Sequence, residues 1–124
     1  MSKDSVKAVA ETQSGKKASI RKYQTEPADT KELKLPKDVR EGLEAHFSGA
    51  KLSKVRVHMG GNIKEVGKEL KAKAFTIGQN LYVTKSGDAK NSELLAHELT
   101  HVIQQAGGKM PKKSKPGTAF VAKK

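Results

Sequence analysis

His97, Glu98 and His101, in the run His97-Glu98-Leu99-Thr100-His101, are the residues of this chain whose types and spacing could do chemistry. Positions four apart on an α-helix lie one turn above each other, so the two imidazoles can be offered to one metal ion. Glu98 then sits beside that face, where it can accept a proton from a metal-bound water. The chemistry this spacing serves is zinc-assisted peptide hydrolysis, with His97 and His101 as ligands and Glu98 as general base.

For that to hold, the surrounding stretch must be a helix, and its pattern is helical. Leu95, Leu99, Val102, Ile103 and Ala106 fall on one stripe, and the histidines fall on the other side, which points them toward a cleft or solvent. Asn91 or Ser92 can cap the first turn, Glu93 suits it electrostatically, and Gly107-Gly108 followed by Pro111 forms a stop.

A catalytic zinc also needs a third protein ligand and an open position. No Asp, Glu, His or Cys follows His101, so this ligand must come from upstream or from another chain. His58 is the first choice, because it lies at the end of a candidate strand, on the face opposite Val55 and Val57. Glu93 is the runner-up, one turn before His97 but two turns from His101. His46, beside the apolar stripe of another helix, reads as structural.

The elements that would position these residues can be taken in order. Residues 1–34 mix charges and small polar residues with no sustained apolar period and are expected to be a flexible leader. Leu35, Val39, Leu43 and Phe47 repeat every four residues behind Pro36, giving a core-facing helix that ends at Ser48-Gly49. Residues 54–59 alternate as a strand, with Val55, Val57 and Met59 on one face. Asn62 is a candidate cap for a helix with Ile63, Val66 and Leu70 on a narrow stripe, weakened by Gly67. Residues 74–78 and 81–84 then form a hairpin around Gly78-Gln79-Asn80. The expected architecture is α+β, with helices on one face of a small, mostly antiparallel sheet. A free sheet edge would offer an extended peptide a place to add as a strand.

Composition bounds the rest. The 124 residues contain no cysteine, which excludes disulfides and thiolate ligands, and only 4% aromatic residues, which suggests one modest core, residues 35–106, with disordered termini. Of the net charge of +12, half lies in residues 107–124, which hold six lysines and no acidic residue. That lysine-rich segment is expected to be a flexible tail. Its attraction to nucleic acid or an anionic membrane is expected to be weak at most, since no aromatic side chains interleave the lysines. No apolar run is long enough for a signal peptide or a transmembrane segment, so a soluble cytoplasmic product is expected.

The segments LPKDVREGLEAHFSGAKLSKVRVHMG, KAKAFTIGQNLYV and ELLAHELTHVIQQ together resemble the core domain of proteins associated with bacterial extracellular contractile injection systems, over about Leu35 to Gln105. The resemblance implies a zincin-like HExxH metallopeptidase in a bacterium, attached to toxin or effector modules and exported by such a system. Carried over by position, it makes His97 and His101 ligands of Zn2+, Glu98 the base, and His58 the histidine of the family's strand motif. Its expected partners are a peptide or protein substrate and an effector or injection-system component. The alternative function is a catalytically inactive binding or loading module for effectors.

Overall fold

The computed structural model describes residues 2–13 and 15–122. The elements run α1 (Lys3–Thr12), β1 (Ser19–Lys22), β2 (Lys31–Lys34), α2 (Lys37–His46), β3 (Arg56–Met59), α3 (Ile63–Leu70), β4 (Ala74–Ile77), β5 (Asn80–Val83), a 3-10 turn (Ser86–Lys90), α4 (Ser92–Gln105) and β6 (Thr118–Val121). The fold is α+β, as the patterning implies. All six strands form one sheet in the order β1-β6-β4-β5-β3-β2, with β3 and β5 parallel and the other pairs antiparallel. The parallel pair arises because α3 and β4 lie between β3 and β5, and the 4–5 hairpin returns the chain beside β3 in the same sense.

The sheet is covered on both faces, where the sequence reading placed helices on one. Val57, Ala74, Leu81 and Val83 face a layer made by α1, α2 and α4, whose Val6, Val39, Leu43, Leu95, Leu99, Val102 and Ile103 are all fully buried. The other face packs Phe75, Ala119 and Val121 against Ile63, Val66 and Leu70 of α3. The expected stripes of α2, α3 and α4 are therefore the ones turned to the core, except that Ala106 at the end of α4 is exposed, and the narrow stripe of α3 serves a second core.

The expected leader and tail also differ from their observed state, apart from Met1, Ser14, Lys123 and Lys124, which lie outside the described residues. Residues 3–12 form a helix because Ser2 accepts a hydrogen bond from the Ser5 amide at 3.2 Å, and Val6 and Ala10 bury one narrow face. β1, β2 and β6 add to the sheet, and Met110 joins the core. The hairpin sheet of β3, β4 and β5 thus has both of its edges paired, β4 by β6 and β3 by β2. The free edges of the sheet are therefore β1 and β2 rather than strands of the β3–β5 unit.

Glycines sit where neighbouring segments come closest: Gly61 against the Ala28 and Asp29 backbone, Gly67 at the end of α3, and Gly42 in α2. A Cβ on Gly67 would stand 2.5 Å from Thr84 Cγ2 and 2.9 Å from the Ala72 carbonyl oxygen, so the residue that weakens α3 lets the turn at its end fold back against it. Asn62 at the other end does not cap α3 with its side chain. It accepts from the Ala28 amide at 2.6 Å and donates to the Glu26 carbonyl at 2.8 Å, tying down the segment before β2. Among the described residues, no helix is long and apolar enough to cross a membrane.

Gly42 of α2 is the seat of α1: a Cβ there would lie 2.6 Å from Val6 Cγ1 and 2.7 Å from the Lys3 carbonyl oxygen. Gly42→Ala gains helix propensity worth about 1 kcal/mol, but the backbone of α1 must move away, at about 1–3 kcal/mol. The expected result is lower stability in denaturant titrations and faster amide exchange in residues 3–12. A variant as stable as the parent with unchanged exchange would show that α1 is not seated through Gly42.

Candidate metal centre and its cover

The helix α4 begins where Asn91 accepts a hydrogen bond from the Leu94 amide at 3.2 Å. It ends where Gly108 donates to the Ile103 carbonyl at 2.8 Å, with Gly107 at φ 82°. The four-residue spacing brings His97 and His101 side by side, with ring centroids 4.6 Å apart. Both ends and the pairing follow the sequence reading.

The surroundings do not follow it. His101 is fully buried rather than turned to a cleft, because α1 and the turn after it lie across the helix. Gln13 Oε1 stands 3.0 Å from His101 Nε2, so the imidazole donates from that nitrogen to the amide oxygen. The Ala18 amide donates to the His101 carbonyl oxygen at 3.2 Å. Burial, then the neighbouring His97, then Lys16 in the same turn push the His101 imidazole down to about 4. His97, partly buried, is lowered by burial and by Lys16, against an opposing pull from Glu93. Both rings are therefore neutral near pH 7, the form that binds a metal.

Glu98 is also buried, at 5% exposure. Its Oε2 accepts from the Ala122 amide at 3.3 Å, just past β6, while Oε1 has no hydrogen-bond partner among the described residues. Desolvation pushes this carboxyl up to about 8, with the Ala122 amide pulling weakly the other way. Near pH 7 it is a carboxylic acid, and it becomes a proton acceptor only when positive charge arrives beside it. His97 and Glu98 both line a cavity of about 940 Å³ that also reaches α3 and the end of β6.

His58 is not brought to this pair. The alternation of β3 that gave His58 a face opposite Val57 also sends it across the sheet from α4. There its ring stacks on Tyr82 at 4.6 Å, and Tyr82 stacks on Phe75 of the α3 core. Thr30 Oγ1 donates to Nδ1 at 2.9 Å, and Nε2 donates to Asn80 Oδ1 at 2.8 Å, so both nitrogens are engaged. Glu93 is exposed, and His46 packs edge-on against Phe47 at 4.7 Å. Among the described residues, no group of three His, Cys, Asp or Glu side chains could hold a metal. The donor set fits two positions of a zinc site and leaves the third to another donor. Sequence reasoning missed Gln13, Lys16 and Ala122, whose contacts with α4 leave no local pattern in the chain.

A family model described as the eCIS core domain matches residues 34–109. Neither a curated protein nor a solved structure matches the chain. The matched span contains His58, His97, Glu98 and His101, and it leaves out α1, β1 and β6, with Gln13, Lys16 and Ala122.

These burials set a pH dependence for the metal-free protein. Folded Glu98 keeps a proton that the unfolded chain releases near its ordinary value of 4.5, so its contribution is full below that pH and is lost as pH rises toward 8. His97 and His101 act oppositely: their contribution is full above 6.5 and is lost as pH falls, for His101 toward 4. The three together give a maximum near pH 6.5 and a decline to pH 8. Glu98→Gln should abolish the alkaline decline and exceed the parent at pH 8 by an amount on the order of 3 kcal/mol. Urea titrations at both pH values check this; a variant that declines as steeply as the parent would refute the buried neutral acid.

Proposed function

The chain belongs to the eCIS core domain family, and on that premise we propose that it is a zinc-dependent peptidase core of a bacterial contractile injection system or its effectors, closed by its own leader. The observation that carries this reading is the pair of imidazoles with ring centroids 4.6 Å apart on one helix, beside the buried carboxyl of Glu98. In this reading His97 and His101 hold the zinc, which when bound supplies Lewis acidity and a position for water. Positive charge at the imidazoles lowers the Glu98 carboxyl into the range where it accepts a proton. His58 has no part in it, being across the sheet. The substrate is a peptide or protein that reaches the site through the cavity beside His97 and Glu98.

Gln13 and Lys16 act as the cover. The Gln13 amide oxygen occupies the outer nitrogen of His101, and the Lys16 ammonium raises the cost of placing a dication at the pair. A second reading, a non-catalytic module that binds effectors or injection-system components, is favoured by the same cover, because His101 Nε2 and Glu98 Oε2 already have partners within the chain.

Calorimetric zinc titration of the parent, Gln13→Ala/Lys16→Ala and His97→Ala separates the two. The covered peptidase predicts weak binding by the parent, binding tightened about tenfold or more in the double variant, and none in His97→Ala. Glu98→Gln in the double variant should keep the metal and lose cleavage of a denatured protein substrate. Weaker binding in Gln13→Ala/Lys16→Ala than in the parent would make Gln13 a ligand rather than a cover. No binding in either protein would end the peptidase reading and leave the module.

A further inference from the structure

The cavity beside α4 has a charge pattern that the HExxH pair does not explain. Arg21, Lys64, Lys68, Lys71 and Lys73 line it, and its one acidic residue is Glu98. The charges of α3 are sorted by face: Lys64 and Lys68 point to the cavity, while Glu65 does not line it and Glu69 accepts from the Gln24 and Thr25 amides, at 2.7 and 3.3 Å. Among the described residues the ion pairs are Lys37–Glu41 and Arg40–Glu44, so none of the five cations in the cavity is paired with a carboxylate. Arg21 donates to the Leu70 carbonyl at 2.6 Å, which fixes its guanidinium at the end of α3.

Two further features mark this as a binding site rather than a solvated basic face. The cavity, about 940 Å³, has the volume of a peptide-sized ligand site, and Leu94, Val121 and Ala74 supply apolar wall between the cations. Glu98 Oε1, a buried polar atom without a partner among the described residues, belongs to a side chain that lines the same cavity. We propose that this cavity binds an acidic peptide segment, its carboxylates meeting the lysines of α3 and the 71–73 turn and its aliphatic stems lying on the apolar wall. The binding is independent of whether the neighbouring histidines take up zinc or cleavage follows.

The probe is a fluorescein-labelled peptide of alternating Glu and Leu, with Gln/Leu and Lys/Leu peptides of the same length as controls, read by fluorescence anisotropy on metal-free protein. The acidic peptide should bind saturably and the controls should not. Lys64→Glu/Lys68→Glu/Lys71→Glu should weaken binding by about tenfold or more. Lys112→Glu/Lys113→Glu/Lys115→Glu, which makes the same charge change at residues that do not line the cavity, should change it by less than about twofold. Lys64→Gln/Lys68→Gln repeats the test with less risk to folding and should give a smaller loss. Equal losses from the cavity and tail variants would reduce the effect to net charge and overturn the proposal, as would saturable binding of the Gln/Leu peptide. A single-stranded oligonucleotide of equal charge that displaces the acidic peptide would replace it with a polyanion site.

Discussion

The constraint on which the rest of this structure depends is that α4 is buried almost all round while carrying Glu98, Thr100 and His101 among its buried residues. Each buried polar group needs a partner, or it costs free energy comparable to a lost hydrogen bond. Thr100 finds one inside the helix, donating to the Ala96 carbonyl at 2.6 Å. The other two are supplied from far along the chain, His101 by Gln13 and Glu98 by Ala122. The leader and the last strand are therefore parts of the helix's solvation, and the neutral state of all three ionisable side chains in the motif follows from the water they exclude.

Burial also settles a competition of charges at Glu98. Five cations line the cavity it borders, yet the carboxyl is pushed up to about 8, with desolvation as the leading cause. The cations sit where water screens them, whereas the carboxyl has lost nearly all of its own water, and the loss outweighs the attraction.

What could be read in the sequence was what local periodicity encodes. The stripes of α2, α3 and α4, the alternation of β3, the hairpin and both ends of α4 came from apolar spacing and capping residues, and the structure has them within a residue or two. The histidine pair was legible because a four-residue spacing on one helix fixes it. His58 shows the limit: the alternation of its strand was read correctly, but which face α4 would cover depends on packing that no local pattern holds. α1 carried a weak signal in Val6, Val9 and Ala10, hidden by the charged residues among them. β1 and β2, SIRK and KELK, have almost no apolar alternation because edge strands bury little. TAFV of β6 has strand propensity, but its lysine-rich context suggested a solvated tail.

Those two outer strands bear on how copies of the chain behave toward one another. The exposed edges of the sheet are four residues long and carry Arg21 and Lys22 on one side and Lys31 and Lys34 on the other. An unpaired edge is a template on which another chain can polymerise, and short length and like charge are what block it. Part of the basic excess that suggests a polyanion partner is thus spent on keeping molecules apart, and salt, which screens that repulsion, pushes the chain toward self-association.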